Sequence, residues 1–279
     1  RKNNDLPATH NPFSMINIFT IFFYQYIHMN IDEEENNVLH ITKTKMNCDD
    51  TLGKLPPPLD TMVSGSALAI VGHSGSGKTT LMASLLGANK KKGVRQSFKK
   101  LFDNVVIVSP SLHTISSGIF KGISDEKKFS KFDDEALDKV DELTEEEVED
   151  DETNYTLLIL DDVSSQLKKN RALEKRLTSL FQNRRHKQLT IWVISQKFRD
   201  IPTGIRSNLS HFITYKPKTL PEMEAIYTEM LPFSKKYMLE LFDYLFKERY
   251  SFLFVDMSMR KSPNFEYYRK FNKLKISVE

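Results

Sequence analysis

At 279 residues, 39% of them hydrophobic and 28% charged, the chain is long enough for one large α/β domain with extensions and has the composition of an ordinary soluble protein. Its single cysteine, Cys48, excludes an internal disulfide and a zinc cluster built on cysteines, and is compatible with a reducing compartment. The net charge of +3 hides an asymmetry: residues 133–152 hold thirteen acidic residues and one lysine, a local charge of −12 that leaves +15 on the rest. A basic body with one acidic insert fits a polyanionic partner, and equally a solvated surface beside a disordered acidic loop.

Residues 1–60 read as a weakly structured leader. Within it, residues 13–29 are rich in Phe, Ile and Tyr, but Asn17, Thr20, Gln25 and His28 interrupt the run, which is only marginally long enough to cross a bilayer. No small-residue cleavage site precedes the acidic stretch Asp32-Glu33-Glu34-Glu35, and a strand or packing arm is favoured over membrane contact. The leader ends in Leu55-Pro56-Pro57-Pro58, a stiff extended linker that cannot be helical inside. The folded domain then covers residues 61–279, with an acidic insert at 122–152.

From Met62 onward, short apolar runs alternate with helical patterns, as in an α/β fold with a mostly parallel central sheet. Strands are expected at residues 68–71, 105–109, 155–160, 190–195 and 212–215, each apolar enough to be buried on both faces, with a further strand at 250–256. Helices are expected after the first strand, at 80–86, and over 133–143, 165–183, 221–230 and 235–247.

Between the first strand and the first helix lies Gly72-His73-Ser74-Gly75-Ser76-Gly77-Lys78-Thr79, a full match to the P-loop pattern. Glycines let backbone N–H groups close around a phosphate without a Cβ in the way, and the following helix N-terminus adds positive potential. Lys78 can then reach the β- and γ-phosphates and the Thr79 hydroxyl can sit on Mg²⁺. The nucleotide-binding set is Gly72, His73, Ser74, Gly75, Ser76, Gly77, Lys78, Thr79 and Thr80.

Further along, Leu157-Leu158-Ile159-Leu160-Asp161-Asp162 has the form of a Walker B strand. A buried strand holds two carboxylates rigidly at its C-terminal end, where ligands of open α/β sheets bind. Asp161 is the expected metal ligand, and Asp162 the acid that orients and polarises the attacking water. The strand at 105–109 is expected between the P-loop strand and the acid strand, unlike the arrangement in small GTPases. No Asn/Thr-Lys-x-Asp guanine-reading motif and no Leu-Ser-Gly-Gly-Gln transporter signature is present, so ATP with Mg²⁺ is expected rather than GTP.

The next apolar run, Ile191-Trp192-Val193-Ile194-Ser195-Gln196, ends in an amide that can sense the γ-phosphate or position water. Arg184 and Arg185 precede this strand and Arg206 follows it; each is a candidate finger supplied across a subunit interface, or a solvated arginine. Lys90-Lys91-Lys92, Arg95, Lys99-Lys100 and Lys168-Lys169, Arg171, Lys175-Arg176 form basic clusters that suit nucleic-acid phosphates or plain solvation. His73, His113, His186 and His211 show no metal-ligand spacing.

Taken in order, the segments GHSGSGKT, NVVIVSPS, LLILDDVSSQL, NRRHKQLTIWVISQKFRDIP and GIRSNLSHFITY resemble the poxvirus-type DNA-packaging ATPases of large DNA viruses, with their virophage and Maverick/Polinton relatives, within the FtsK–HerA superfamily. The resemblance spans residues 65–260 and implies a P-loop NTPase domain, a three-layer α/β sandwich of the RecA/ASCE-like kind. It assigns phosphate and metal roles to Lys78 and Thr79, the metal to Asp161, catalysis to Asp162, sensing to Gln196 and finger roles to Arg185 and Arg206. Cellular superfamily members often carry Glu where this chain has Asp162. The family implies a homo-oligomeric ring, pentamer or hexamer, that uses ATP to pump double-stranded DNA into a preformed capsid, in the virion or at its assembly site in the host cell. A nucleotide-dependent assembly switch, or a helicase or coupling ATPase of the same superfamily, carries the same motifs.

Overall fold

The computed structural model describes residues 55, 57–62, 64–87, 101–112, 120, 122–145 and 154–276, all within one unit, Lys45–Glu279. Strands β1 (Ala67–Val71), β2 (Asn104–Val108), β3 (Lys128–Phe129), β4 (Thr156–Asp161), β5 (Leu189–Ser195) and β6 (His211–Tyr215) pair in parallel. An antiparallel extension, β7 (Phe252–Asp256), β8 (Glu266–Arg269) and β9 (Asn272–Lys273), completes one nine-stranded sheet in the order β3-β2-β4-β5-β1-β6-β7-β8-β9. The central strands read as unbroken apolar runs because both their faces are covered: every residue of β1, β4, β5, β6 and β7 is buried.

Alternate residues of each strand feed two cores. Leu68, Ile70, Leu157, Ile159, Trp192 and Ile194 pack with Met82, Leu85 and Leu86 of α1 (Lys78–Leu86) and with Leu55, Leu59 and Met62. Ala67, Ala69, Leu158, Leu160, Ile191 and Val193 pack on the other side. There they meet α2 (Asp134–Glu145), α3 (Ser164–Lys169), α4 (Arg171–Asn183), α5 (Thr203–Arg206), α6 (Leu220–Met230) and α7 (Met238–Leu245). The result is a three-layer α/β sandwich. Helix α4 shows how the outer layer is specified: Leu173, Leu177, Leu180 and Phe181 form one stripe at helical spacing, each such side chain contributing about 1.5–3 kcal/mol on burial.

Two segments differ from expectation. The single helix expected over 165–183 is two, because the Asn170 side chain accepts from the amides of Ala172 (3.1 Å) and Leu173 (3.2 Å) and starts α4 afresh. Of the leader expected over 1–60, residues 1–54 and Pro56 lie outside the described residues, but Leu55 and Leu59 are core residues. The acidic insert contains the helix expected over 133–143. Its α2 buries Ala136, Leu137, Val140 and Leu143, while Arg176 pairs with Asp134, Asp138 and Asp141, and Lys187 with Asp141 and Glu145. Individually such half-exposed pairs contribute at most about 1 kcal/mol, but together they hold the acidic helix against the basic side of α4.

At the end of the sheet remote from the P-loop, His211 is wholly buried, stacked on Phe254 at 5.9 Å. Its Nε2 is 3.2 Å from Thr61 Oγ1 and its Nδ1 2.9 Å from Ser210 Oγ, hydroxyls that also donate to Pro58 O and Ala67 O respectively. Asp256 Oδ1 lies 3.5 Å from Nε2, yet burial outweighs its pull, and Arg260 and Arg184 push the same way, bringing the pKa down from 6.5 to about 4. The contact is therefore one between a neutral imidazole and a carboxylate. The unfolded chain takes up a proton that the folded chain refuses, so stability falls as pH drops from 6.5 towards 4. Denaturant titrations followed by the fluorescence of Trp192, the sole and fully buried tryptophan, should show this loss. In His211→Asn the protein should be less stable at pH 7 and this part of the pH dependence should vanish; an identical pH profile in the variant would contradict a neutral His211.

Candidate functional site

Parallel register decides which loops meet. Val71 pairs with Ser195 and Asp161 with Ile194, so the carboxyl ends of β1, β5 and β4 open side by side. Two backbone hydrogen bonds carry the alignment past the strands: Gly72 N–H donates to Ser195 O (3.1 Å) and Asp162 N–H to Ile194 O (2.9 Å). The P-loop, the Ser195-Gln196 pair and the Asp161-Asp162 pair thus emerge together, at the carboxyl ends where open α/β sheets bind ligands. The strand between the P-loop strand and the acid strand is β5. The run at 105–109, expected in that place, forms β2 and flanks β4 on its far side, because chain order and spatial order differ in a sheet built by crossovers.

Within the loop, Gly77 sits at φ 106° and caps α1, a conformation that side chains disfavour. Gly72 is required for space: a Cβ there would stand 2.6 Å from Ser76 Oγ and 2.9 Å from Tyr215 Cβ. The first turn of α1 contains no acidic residue, so its amides offer uncancelled positive potential to an anion. Lys78 Nζ curls over the loop and donates to Gly72 O (2.6 Å) and His73 O (3.1 Å). Burial lowers the Lys78 pKa, while Asp161 and Asp162 pull it back up. His73 Nδ1 lies 2.7 Å from Ser74 O, Ser76 is buried, and Ser74, Gly75, Thr79 and Thr80 are exposed.

Asp161 is buried, and its Oδ2 accepts from Ser109 Oγ at 2.8 Å. Burial pushes its carboxyl pKa up; the Ser109 hydrogen bond opposes that, Asp162 adds to it and Lys78 reduces it. Asp162 takes the left-handed conformation, φ 55°, which Asp tolerates better than most residues. The turn sets its carboxylate 2.6 Å from the Gln196 amide, which donates to Oδ2. Ser109 was missed by sequence reasoning, although a serine ending an apolar strand is the same signal that Ser195-Gln196 gives.

A cavity of about 600 Å³ opens over the loop, bounded by Gly75, Gly77, Lys78 and Thr80 and by Tyr215 and Tyr250. Tyr215 is buried, which pushes its phenol up to about 12.

The finger candidates are not brought to this cavity. Arg206 donates to both oxygens of Glu229 (2.8 and 3.0 Å) and to Ile201 O (2.6 Å), and lies over the Phe198 ring. Arg185 is exposed in the turn before β5, at the end of the sheet opposite Gln196. Its neighbour Arg184 is half-buried, and desolvation lowers its pKa to about 10. In the second basic cluster, Lys168 pairs with Asp200 and Arg176 with the acidic helix; Lys90–Lys92, Arg95, Lys99, Lys100 and His113 lie outside the described residues. Among the described residues no helix is long and apolar enough to cross a membrane.

A family model described as Poxvirus A32 protein matches residues 63–259. The protein described as uncharacterized protein 015R of Frog virus 3 (isolate Goorha) is 23% identical over 183 residues, which take in 62% of this chain and 53% of that protein. The chain therefore spans about half the length of the curated relative it matches. Among solved structures, B204, the DNA-packaging ATPase from Sulfolobus turreted icosahedral virus, aligns with a TM-score of 0.52 at 15% identity, covering 74% of this chain and 98% of that one. EssC (ATPases 2 and 3) from Geobacillus thermodenitrificans aligns with a TM-score of 0.51 at 14% identity, covering 75% of this chain and 40% of that one. These alignments establish a shared fold, that of P-loop ATPases.

Removing the Ser109 hydroxyl should raise the Asp161 pKa further, since the hydrogen bond favours the ionised carboxylate. Carboxyl-carbon NMR titration of Ser109→Ala against the wild type measures this. An unmoved Asp161 titration would mean that the hydroxyl does not donate to it.

Proposed function

The chain belongs to the poxvirus A32 protein family, and on that footing we propose that it is an ATP hydrolase that drives double-stranded DNA into a viral capsid. The observation that carries this reading is the meeting of Lys78, Asp161, Asp162 and Gln196 at the ends of three adjacent parallel strands. The fold shared with B204, which is described as a DNA-packaging ATPase, supports it.

The residues fit both the nucleotide and its metal. A side chain at Gly72 would fill the cradle, and Thr79, Asp161 and Asp162 offer the hard oxygen donors that suit Mg²⁺. Lys78 exchanges the carbonyls of Gly72 and His73 for β- and γ-phosphate oxygens. Thr79 and Asp161 hold the ion, which when bound neutralises charge developing on the phosphates. The raised Asp161 carboxyl is consistent with this, because a divalent cation restores the ionised form that burial disfavours. Asp162 orients and polarises the attacking water. Gln196 holds the Asp162 carboxylate at 2.6 Å and couples it to the loop after β5. In a ring of five or six copies, an arginine of one subunit completes the site of the next. Arg185 and Arg206 are the candidates, and Arg206 must first leave its pair with Glu229. Such a ring acts with capsid proteins, in the virion or at its assembly site.

A nucleotide-dependent assembly switch is the second reading. It is favoured by one observation: Arg176, Lys187 and Lys168 are already engaged by carboxylates of the same chain, which reduces the cationic surface left for DNA.

Steady-state hydrolysis with and without duplex DNA separates the two. As a motor the wild type is stimulated by duplex, and the stimulation fades between about 50 and 200 mM salt. Asp162→Asn should lose roughly 100-fold or more in kcat, and Lys78→Ala should abolish nucleotide binding. Turnover that depends on Asp162 but ignores DNA would select the switch; full activity in Asp162→Asn would remove that residue's assigned role.

A further inference from the structure

The loop side of the cavity provides for phosphates, and its opposite side is aromatic. Tyr215 is buried, with its hydroxyl 3.4 Å from where a Cβ would stand on Gly77, and forms the floor. Tyr250 reaches the same glycine, its ring carbon Cδ1 lying 3.6 Å from that position, yet the residue is 53% exposed. Packing does not account for it, because it belongs to neither core. Its backbone is left-handed, φ 61°, a conformation that glycine or asparagine adopts with little strain and a bulky aromatic does not. The Arg249 guanidinium lies over the ring, 4.7 Å from its centroid, and steadies it from one side. A strained turn that holds a half-exposed ring beside the last glycine of a P-loop is arranged as a stacking surface for a flat group.

We propose that Tyr250 is the base platform of this site: the nucleobase stacks on its ring while the loop holds the phosphates. The inference rests on the nucleotide reading above. It also sets the substrate class. Around Tyr250 the described lining offers Leu81, Ser84 and Tyr215, and no carboxylate or side-chain amide to read a base edge. Stacking discriminates by ring area, so the platform favours purine over pyrimidine triphosphates.

The test is calorimetric titration of Mg²⁺ complexes of ATP, GTP, CTP and inorganic tripolyphosphate into the wild type, Tyr250→Phe and Tyr250→Asn. Asparagine suits the left-handed backbone, so Trp192-monitored stability of Tyr250→Asn should match or exceed that of the wild type. ATP and GTP should each bind the wild type more tightly than CTP. Tyr250→Phe should keep ATP affinity within about twofold, whereas Tyr250→Asn should weaken ATP and GTP by roughly 5- to 100-fold and leave tripolyphosphate unchanged. Undiminished ATP affinity in Tyr250→Asn overturns the platform while phosphate binding stands. Loss of tripolyphosphate together with ATP in that variant makes Tyr250 a support of the loop, which also overturns it. CTP that binds the wild type as tightly as ATP overturns the purine-class selectivity, and a wild type that binds neither ATP nor tripolyphosphate overturns the nucleotide reading and the platform together.

Discussion

The site depends on the parallel register of β1, β5 and β4. A slip of one residue in any of these strands would turn its apolar residues to the wrong face and move its terminal polar residue away from its partners. The ladder is continued beyond the strands by Gly72 to Ser195 and by Asp162 to Ile194, so the backbone itself sets the spacing between the lysine loop and the acid pair. Placing these charges away from water has a consequence visible in their ionisation: burial disfavours the charged form of both Lys78 and Asp161, and each favours the charged form of the other. A polyanion and a divalent cation supply what both groups lack, and this electrostatic complementarity is the physical basis of the proposed chemistry.

Charge is also resolved within the rest of the domain. The acidic stretch and the basic cluster on α4 stand apart in the chain, yet in the fold they face each other, with Arg176 bridging three aspartates of α2. The hidden asymmetry of the composition is therefore partly an internal ion-pair lattice. Arg176, Lys187 and Lys168 are thereby committed to carboxylates of the same chain.

Much of this was legible in the sequence because the signals are local. A five-residue apolar run followed by glycines, lysine and threonine specifies strand, loop and helix start without reference to the rest of the chain, and Asp161-Asp162 at the end of an aliphatic run does the same for the acid strand. What was not legible depends on distant partners. Nothing in the order of the runs says that β5 rather than β2 lies beside the P-loop strand. The helix break at Asn170 rests on one side-chain cap within an otherwise helical pattern. The edge strands Glu266–Arg269 and Asn272–Lys273 are short and polar, and only β7 beside them makes them strands. Arg206 looked available as a finger because Glu229, its partner, is 23 residues away.

The central claim is that the strand ends form one hydrolytic unit, in which Gln196 acts through the Asp162 carboxylate. A double-mutant cycle on kcat for ATP hydrolysis, with Asp162→Asn, Gln196→Ala and the pair, tests it most directly. The account predicts strong non-additivity, with the double variant scarcely slower than Asp162→Asn alone. Effects that multiply independently would contradict it and separate Gln196 from the acid it touches.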